Sequence, residues 1–473
     1  MPMEGWLRRW MSWGFLTITI IIHMGFISSL WTGTLNFLFH DTHYLVGQGA
    51  DFFAYYQAGH NILNGLDCYT IPDPLVVPYL YTYRYLPYFA YSFGVAVNLV
   101  PPLLAYWLWV GLLTVSLWLA ALRTRSLAKA LHRPAWEGRM AMGMWFVFSP
   151  IYIELYLGQV TLFAAILMFF ALTTPSFVGG RKGRRGTMTL FWTTGGLTKL
   201  IPFFIAPVLI GAGRVRSVLV AFIVTVLAIV AVPAGLESLR FFLDFNTART
   251  IYIYPYVGSH SLNMLLFYLL GQPSGDFRSI TGLLIGVFFM LAIAATLYSR
   301  DLWASSGLFS TAYFFVMTDV WEHHYTFILP LLVLAWFRGR SEDKARWVPF
   351  VIVLLMSVPI MPIIELLSGA GPGVYPITWS PVWQIIYHSS KVVPALIFFG
   401  WLLATAFRSP RADSALESVL VSFRNAWIGL ISGSNPTIEG GILVQGGTET
   451  QKEEMGRTLS SQATVRTKER TCC

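Results

Sequence analysis

Apolar stretches recur along this chain from residue 11 to residue 407, and no other feature limits its fold so sharply. Each runs to about 18–25 residues, enough for a helix to cross about 30 Å of hydrocarbon. In lipid only helices and closed barrels pair every backbone N–H and C=O, so helices are the expected elements. Charged residues make up 12% of the chain, about half the usual soluble share of roughly 25%. The expected fold class is an all-α polytopic membrane protein.

The formal charge of +9 does not point to nucleic acid, because the basic residues sit in short clusters between apolar runs. That pattern sets membrane orientation. The clusters at Arg8/Arg9, Arg123 to Arg139, Arg181 to Arg185, Arg214/Arg216, Arg338 to Arg346 and Arg408/Arg411 are all assigned to the cytoplasm. A first helix over about 12–33, a retained anchor, then runs outward, and residues 34–102 form an extracytoplasmic loop with interfacial helices. Within that loop 86–100 is short and flanked by Pro87, Pro101 and Pro102, so an interfacial or re-entrant helix is expected there.

Further segments are expected at about 103–122, 140–157, 160–175, 217–235, 279–299, 303–318, 325–337, 347–366 and 391–407. Residues 188–211 begin and end beside basic clusters, which predicts two half-helices meeting near Lys199 and Pro202. The count is about 12 transmembrane segments. Residues 1–407 form one membrane domain with both termini cytoplasmic, and residues 408–473, rich in Ser, Thr, Gly, Glu and Lys toward the end, read as a mostly disordered cytoplasmic tail. The three cysteines, Cys68, Cys472 and Cys473, give no disulfide framework, and no Cys/His metal spacing occurs.

Six short motifs fall on the extracytoplasmic side or at a helix break. Gly-Ala-Asp51-Phe-Phe-Ala-Tyr55-Tyr56-Gln-Ala-Gly59 predicts a helix starting after Asp51 and stopping before Gly65, with Asp51 either a plain N-cap or a general base for a sugar hydroxyl. Arg84, among Tyr83 and Tyr85, is either a two-pronged phosphate ligand or a snorkelling residue of an aromatic belt. Lys199 either meets a lipid phosphate at a hydrated cavity or snorkels at a helix end. Glu154 with Gly158-Gln159, and Ser259-His260-Ser261-Leu-Asn263, can offer hydrogen bonds to sugar hydroxyls.

In Trp321-Glu322-His323-His324-Tyr325 the neighbouring histidines point about 100° apart on a helix, so one zinc ion is not expected to bind both. One of them can donate to a departing phosphate or hold an acceptor hydroxyl while the other packs.

In order, these motifs resemble glycosyltransferase family 87 of the GT-C superfamily, over roughly residues 45–335. The residues that carry the resemblance are Asp51 to Gly59 with Gly65 and Tyr69, Tyr83-Arg84-Tyr85-Leu-Pro87, Gly158-Gln159-Val, Lys199-Leu-Ile-Pro202, Ser259 to Asn263, and Trp321 to Tyr325. The resemblance implies a GT-C-like bundle with an extracytoplasmic active site and a polyprenyl-phosphate sugar as donor, most simply mannose. It also implies a glycolipid or glycan acceptor and inversion at the anomeric carbon.

It further implies Asp51 as general base, with His323 or His324 and Lys199 facing the donor phosphate, to which the reading of the Tyr83-Arg84-Tyr85 motif adds Arg84 as a candidate phosphate ligand. Tyr55, Tyr56, Glu154, Gln159, His260, Asn263, Trp321 and Glu322 are the candidates for acceptor or sugar contacts. The family pattern would have Asn-Gln-Ser where this chain has Ser259-His260-Ser261. No second carboxylate stands two residues from Asp51, so neither metal nor cofactor is expected. The competing reading is a secondary transporter or glycolipid flippase, for which coupling carboxylates would lie at mid-bilayer.

Overall fold

The protein is described by a computed structural model covering residues 2–35, 47–72, 74–78, 82–174, 185–233, 235–251, 259–271, 278–299, 301–317, 319–338, 344–369 and 379–408. The expected tail beyond residue 408 and, of the basic clusters, Arg181 to Arg184 and Arg411 lie outside these residues. The described part is all-helical, with no strand beyond the isolated bridge Ser259–Trp321.

The principal helices are α1 (Pro2–Thr32), α2 (Ala50–Leu63), α3 (Pro102–Ala130), α4 (Ala135–Val147), α5 (Pro150–Leu157), α6 (Thr161–Leu172), α7 (Arg185–Thr198) and α8 (Ala206–Gly211). They are followed by α9 (Val215–Val230), α10 (Gly235–Ile251), α11 (Leu262–Leu269), α12 (Arg278–Tyr298), α13 (Leu302–Val316), α14 (Leu329–Trp336), α15 (Trp347–Met356), α16 (Ile360–Ser368) and α17 (Pro381–Phe407).

Among the described residues three helices are long and apolar enough to cross a membrane alone, Trp6–Thr32, α3 and α17, and up to six spans result if each bent pair counts as one. The expected segment 140–157 is such a pair, bent by 46° between α4 and α5. Pro150 opens α5 because an imide at the first helical position lacks only a donor that would be unpaired anyway. The expected segment 347–366 breaks likewise, by 56° before α16. Shorter apolar helices α6, α13 and the run Ile201–Gly211 complete the apolar set together with Gly282–Tyr298.

Helices α1 and α3 lie antiparallel, since the Trp31 ring lies 4.3 Å from that of Trp107 and His23 packs edge-on to Trp118. At the far end of α1, Arg139 of α4 donates to Ser12 and lies over Trp13 at 4.8 Å. Along α3, Tyr106 and Lys129 are separated by roughly 34 Å at about 1.5 Å rise per residue, about one hydrocarbon thickness. The basic ends and the Tyr106 end of the bundle are therefore at opposite poles.

The break expected near Lys199 is present: α7 stops at Thr198, a 3-10 turn covers Ile201–Ile205, and α8 follows. The expected short element over 86–100 is a helical run over 87–97 whose middle, Ala90–Gly94, is π-helical. It packs on α2 through two glycines, and a Cβ on Gly59 would stand 2.0 Å from the Gly94 carbonyl carbon.

Two sequence expectations are corrected. Helix α17 begins at Pro381, ten residues before the expected 391, so His388 and Lys391 lie inside it and are buried. The polar run His388-Ser-Ser-Lys391 reads as loop by hydropathy, but its cation is paired within the protein: Lys391 Nζ meets Glu322 Oε1 at 2.7 Å. Asp51 is not the N-cap. Gly49 holds that position in a left-handed conformation (φ 79°), and Asp51 lies in the first turn.

Candidate active site

The N-terminus of α2 is docked on the C-terminus of α5. Gly49 N donates to the Tyr156 carbonyl at 2.8 Å. Gly158, left-handed at φ 67°, ends α5 so close to α2 that a Cβ there would sit 2.6 Å from Phe52 Cβ. This junction sets Asp51 beside Gln159, close enough for the Gln159 amide to favour the charged Asp51 carboxylate. Gln159 Oε1 accepts from Tyr85 at 2.8 Å and from Tyr55 at 3.1 Å, and the Tyr55 hydroxyl also meets that of Tyr85 at 2.9 Å. With its oxygen so occupied, the amide NH2 is left for the carboxylate.

Asp51 lines a cavity of about 660 Å³. Also on its wall are Tyr55, Arg84, Tyr85, Gln159, Lys199, Asp319, Trp321, His323 and His324, while Leu200, Phe204, Phe242, Leu243 and Met317 make an apolar side. The structure thus gathers Asp51, Arg84, Lys199 and both histidines, far apart in the chain, around one space. Burial raises the Asp51 pKa above its ordinary value of 3.8, against the lowering effects of the Gln159 amide and of the Arg84 and Lys199 charges.

The cations are held from behind. Arg84 pairs with Asp319 at 3.7 Å, and the other oxygen of Asp319 accepts from the Trp321 indole at 2.7 Å. Lys199 Nζ donates to the Thr161 hydroxyl at 2.6 Å. His323 and His324 open a 3-10 turn, Glu322–Ile328, with ring centroids 4.4 Å apart and an interplanar angle of 70°. His324 Nδ1 accepts from the Trp321 backbone N–H at 3.2 Å. The neutral ring then carries its proton on Nε2, and that nitrogen can donate.

Five of the sequence candidates do not line the cavity. The Tyr56 hydroxyl donates to the Val100 carbonyl at 3.0 Å and fastens the end of the 87–97 run. Glu154 is fully buried and accepts from Leu162 N at 3.2 Å. Glu322 turns away to Lys391, which also donates to the Met356 and Val358 carbonyls at 2.6 and 3.1 Å. His260 and Asn263 are fully buried, with the His260 ring 4.4 Å from that of Tyr387.

Sequence reasoning did not name Asp319, Thr161 or Lys391 for the site. Asp319 had a usable signal, a carboxylate two residues before Trp321. Thr161 and Lys391 had none, because their roles arise from partners 38 and 69 positions away (Lys199 and Glu322). Among the described residues no group of three His, Cys, Asp or Glu side chains could hold a metal ion.

Compared with known proteins, the chain matches the model of glycosyltransferase family 87 over residues 81–318. The matched stretch includes Arg84, Gln159 and Lys199; Asp51 precedes it and the two histidines follow it. None of the curated proteins matches the chain.

Proposed function

From the premise that this chain belongs to glycosyltransferase family 87, and is thus a glycosyltransferase, we propose that it moves one sugar from a polyprenyl-phosphate donor to a glycolipid or glycan acceptor. Mannose is the sugar we favour, the cavity opens on the extracytoplasmic side, and residues 1–407 are the catalytic unit. The observation that carries this reading is the Asp51 carboxylate sharing a cavity with two cations and two imidazoles, where the second wall carboxylate, Asp319, is paired with Arg84 and where one side is apolar.

In the proposed reaction an acceptor hydroxyl attacks the anomeric carbon, its proton passes to Asp51, and the bond from that carbon to the phosphate oxygen breaks with inversion. Polyprenyl phosphate leaves as the monoester. Its gained charge is met by Lys199, Arg84 and His324 Nε2, groups fixed before the reaction and therefore effective as charge develops. His323 lies beside them, and Tyr55, Gln159 and Trp321 line the space for the sugar. Phe204, Phe242, Leu243 and Met317 give the polyprenyl chain an apolar surface. A coupling site for transport would need carboxylates at mid-bilayer on repeat-related helices, whereas Asp51 lies on α2, outside the spans.

The test is to give purified protein candidate polyprenyl-phosphate sugars with glycolipid acceptors and to follow release of polyprenyl phosphate. Wild type should transfer, and Asp51→Asn should lose at least about 100-fold in kcat, the low end for a lost general base. Sugar transport without consumption of the donor, or full activity in Asp51→Asn, would overturn the proposal.

A further inference from the structure

Lys199 is backed by a short chain of groups that the cavity does not touch. Its ammonium donates to Thr161 Oγ1 at 2.6 Å. Glu154 accepts through Oε2 from the backbone N–H of Leu162, the neighbour of Thr161, at 3.2 Å, and its Oε1 is buried without a hydrogen-bond partner. Both Thr161 and Glu154 are fully buried, and neither lines the cavity, whereas Lys199 does. An ammonium can only donate, so Thr161 Oγ1 is the acceptor of the bond from Lys199.

A carboxylate taken out of water is costly without a cation nearby, and Lys199 and Glu154 are bound to the adjacent residues Thr161 and Leu162 of α6. A buried negative charge and the cation on the wall are therefore anchored side by side on the first turn of α6. One of the three N–H groups of Lys199 is committed to Thr161, which leaves the others for the cavity.

We propose that Thr161 and Glu154 are positioning residues that hold the Lys199 ammonium in place for the donor's phosphate, so that Glu154 acts behind the lysine and does not contact sugar. The inference rests on the glycosyl-transfer reading above for the identity of the phosphate. It predicts an effect on donor affinity that is separable from the proton transfer assigned to Asp51.

The experiment compares Thr161→Val, which keeps the shape and removes the hydroxyl, with Thr161→Ser, which keeps the hydroxyl, and with Glu154→Gln, which keeps the shape and removes the charge. In purified protein the readouts are KM for the donor, KM for the acceptor, kcat, and direct binding of polyprenyl phosphate by native mass spectrometry. Thr161→Val and Glu154→Gln should raise donor KM and weaken polyprenyl-phosphate binding about tenfold, the order of one charge-assisted hydrogen bond. Acceptor KM should not move, and Thr161→Ser should stay within about threefold of wild type.

Unchanged donor KM and unchanged lipid-phosphate binding in Thr161→Val would overturn the inference, as would a Thr161→Ser variant as impaired as Thr161→Val. If Glu154→Gln does not fold, the two threonine variants decide alone. Should wild type bind polyprenyl phosphate but transfer no sugar, the proposed function fails, while the binding comparison still tests the positioning chain.

Discussion

At the scale of single residues, Asp51 is a carboxylate whose surroundings work against its charge. Burial outweighs the Gln159 amide and the nearby cations, so its folded pKa lies above 3.8. A protonated Asp51 cannot take a proton, so kcat/KM should rise with pH along an acid limb centred above the ordinary carboxylate range. The linkage to stability has the opposite slope: the folded state holds this proton more tightly than the unfolded state, so the contribution is full below pH 3.8 and fades as pH climbs through the raised pKa. Asp51→Asn, which lacks that penalty, should melt no lower than wild type at neutral pH in a calorimetric scan, while losing transfer. Gly49, not Asp51, caps α2, so no cap is lost in the substitution.

Cys68 gives a second residue-level prediction. Burial and the adjacent Asp67 charge push its thiol up to about 12, leaving little thiolate at pH 8. Maleimide should label Cys68 in the folded protein far more slowly than after denaturation, as read by mass spectrometry of its peptide.

At the scale of elements, two joints hold the site. The first is the contact of Gly59 with Gly94, where an added methyl would meet backbone rather than a movable side chain. Gly59→Ala should destabilise by roughly 1–3 kcal/mol, as overpacking does, and should lower activity by shifting α2, which a thermal melt and a transfer assay would register together. The second is the Lys391–Glu322 pair, with side-chain exposures of 0% and 7%. Lys391→Met leaves a buried carboxylate unpaired, a loss of about 3–5 kcal/mol. The double variant Glu322→Gln/Lys391→Met should melt well above the single one.

These joints also mark where the sequence was readable. The break at Lys199 was legible because a lone cation and Pro202 interrupt an apolar run. The early start of α17 was not, since buried and exposed polar residues look alike until their partners are known. Asp51 could be picked out by its motif, yet its place within the helix rather than at its cap depended on Gly49, which turns left-handed to reach Tyr156. Arg84 was visible as a cation among tyrosines, but its Asp319 anchor required the fold.

At the scale of the whole molecule, α3 sets the geometry, with the cavity end near Tyr106 and the basic end near Lys129. In the orientation we propose from the positive-inside rule, the latter faces the cytoplasm. With Cys68, Cys472 and Cys473 changed to serine, single cysteines at the exposed positions Leu66 and Ser126 should react with impermeant thiol reagents from opposite sides of the membrane, Leu66→Cys from outside. Labelling of both from one side would remove the assigned orientation.

The clasp of Tyr55 and Tyr85 on Gln159 bears on which linkage the protein would make. Those two hydroxyls are spent on one oxygen and are poor competitors for an incoming glycan, so its alcohols are left to find the carboxylate by reach alone. Regiochemistry then becomes a matter of how far the acceptor can slide before its ring meets the wall, and reshaping that wall should redirect the bond formed without disturbing the base.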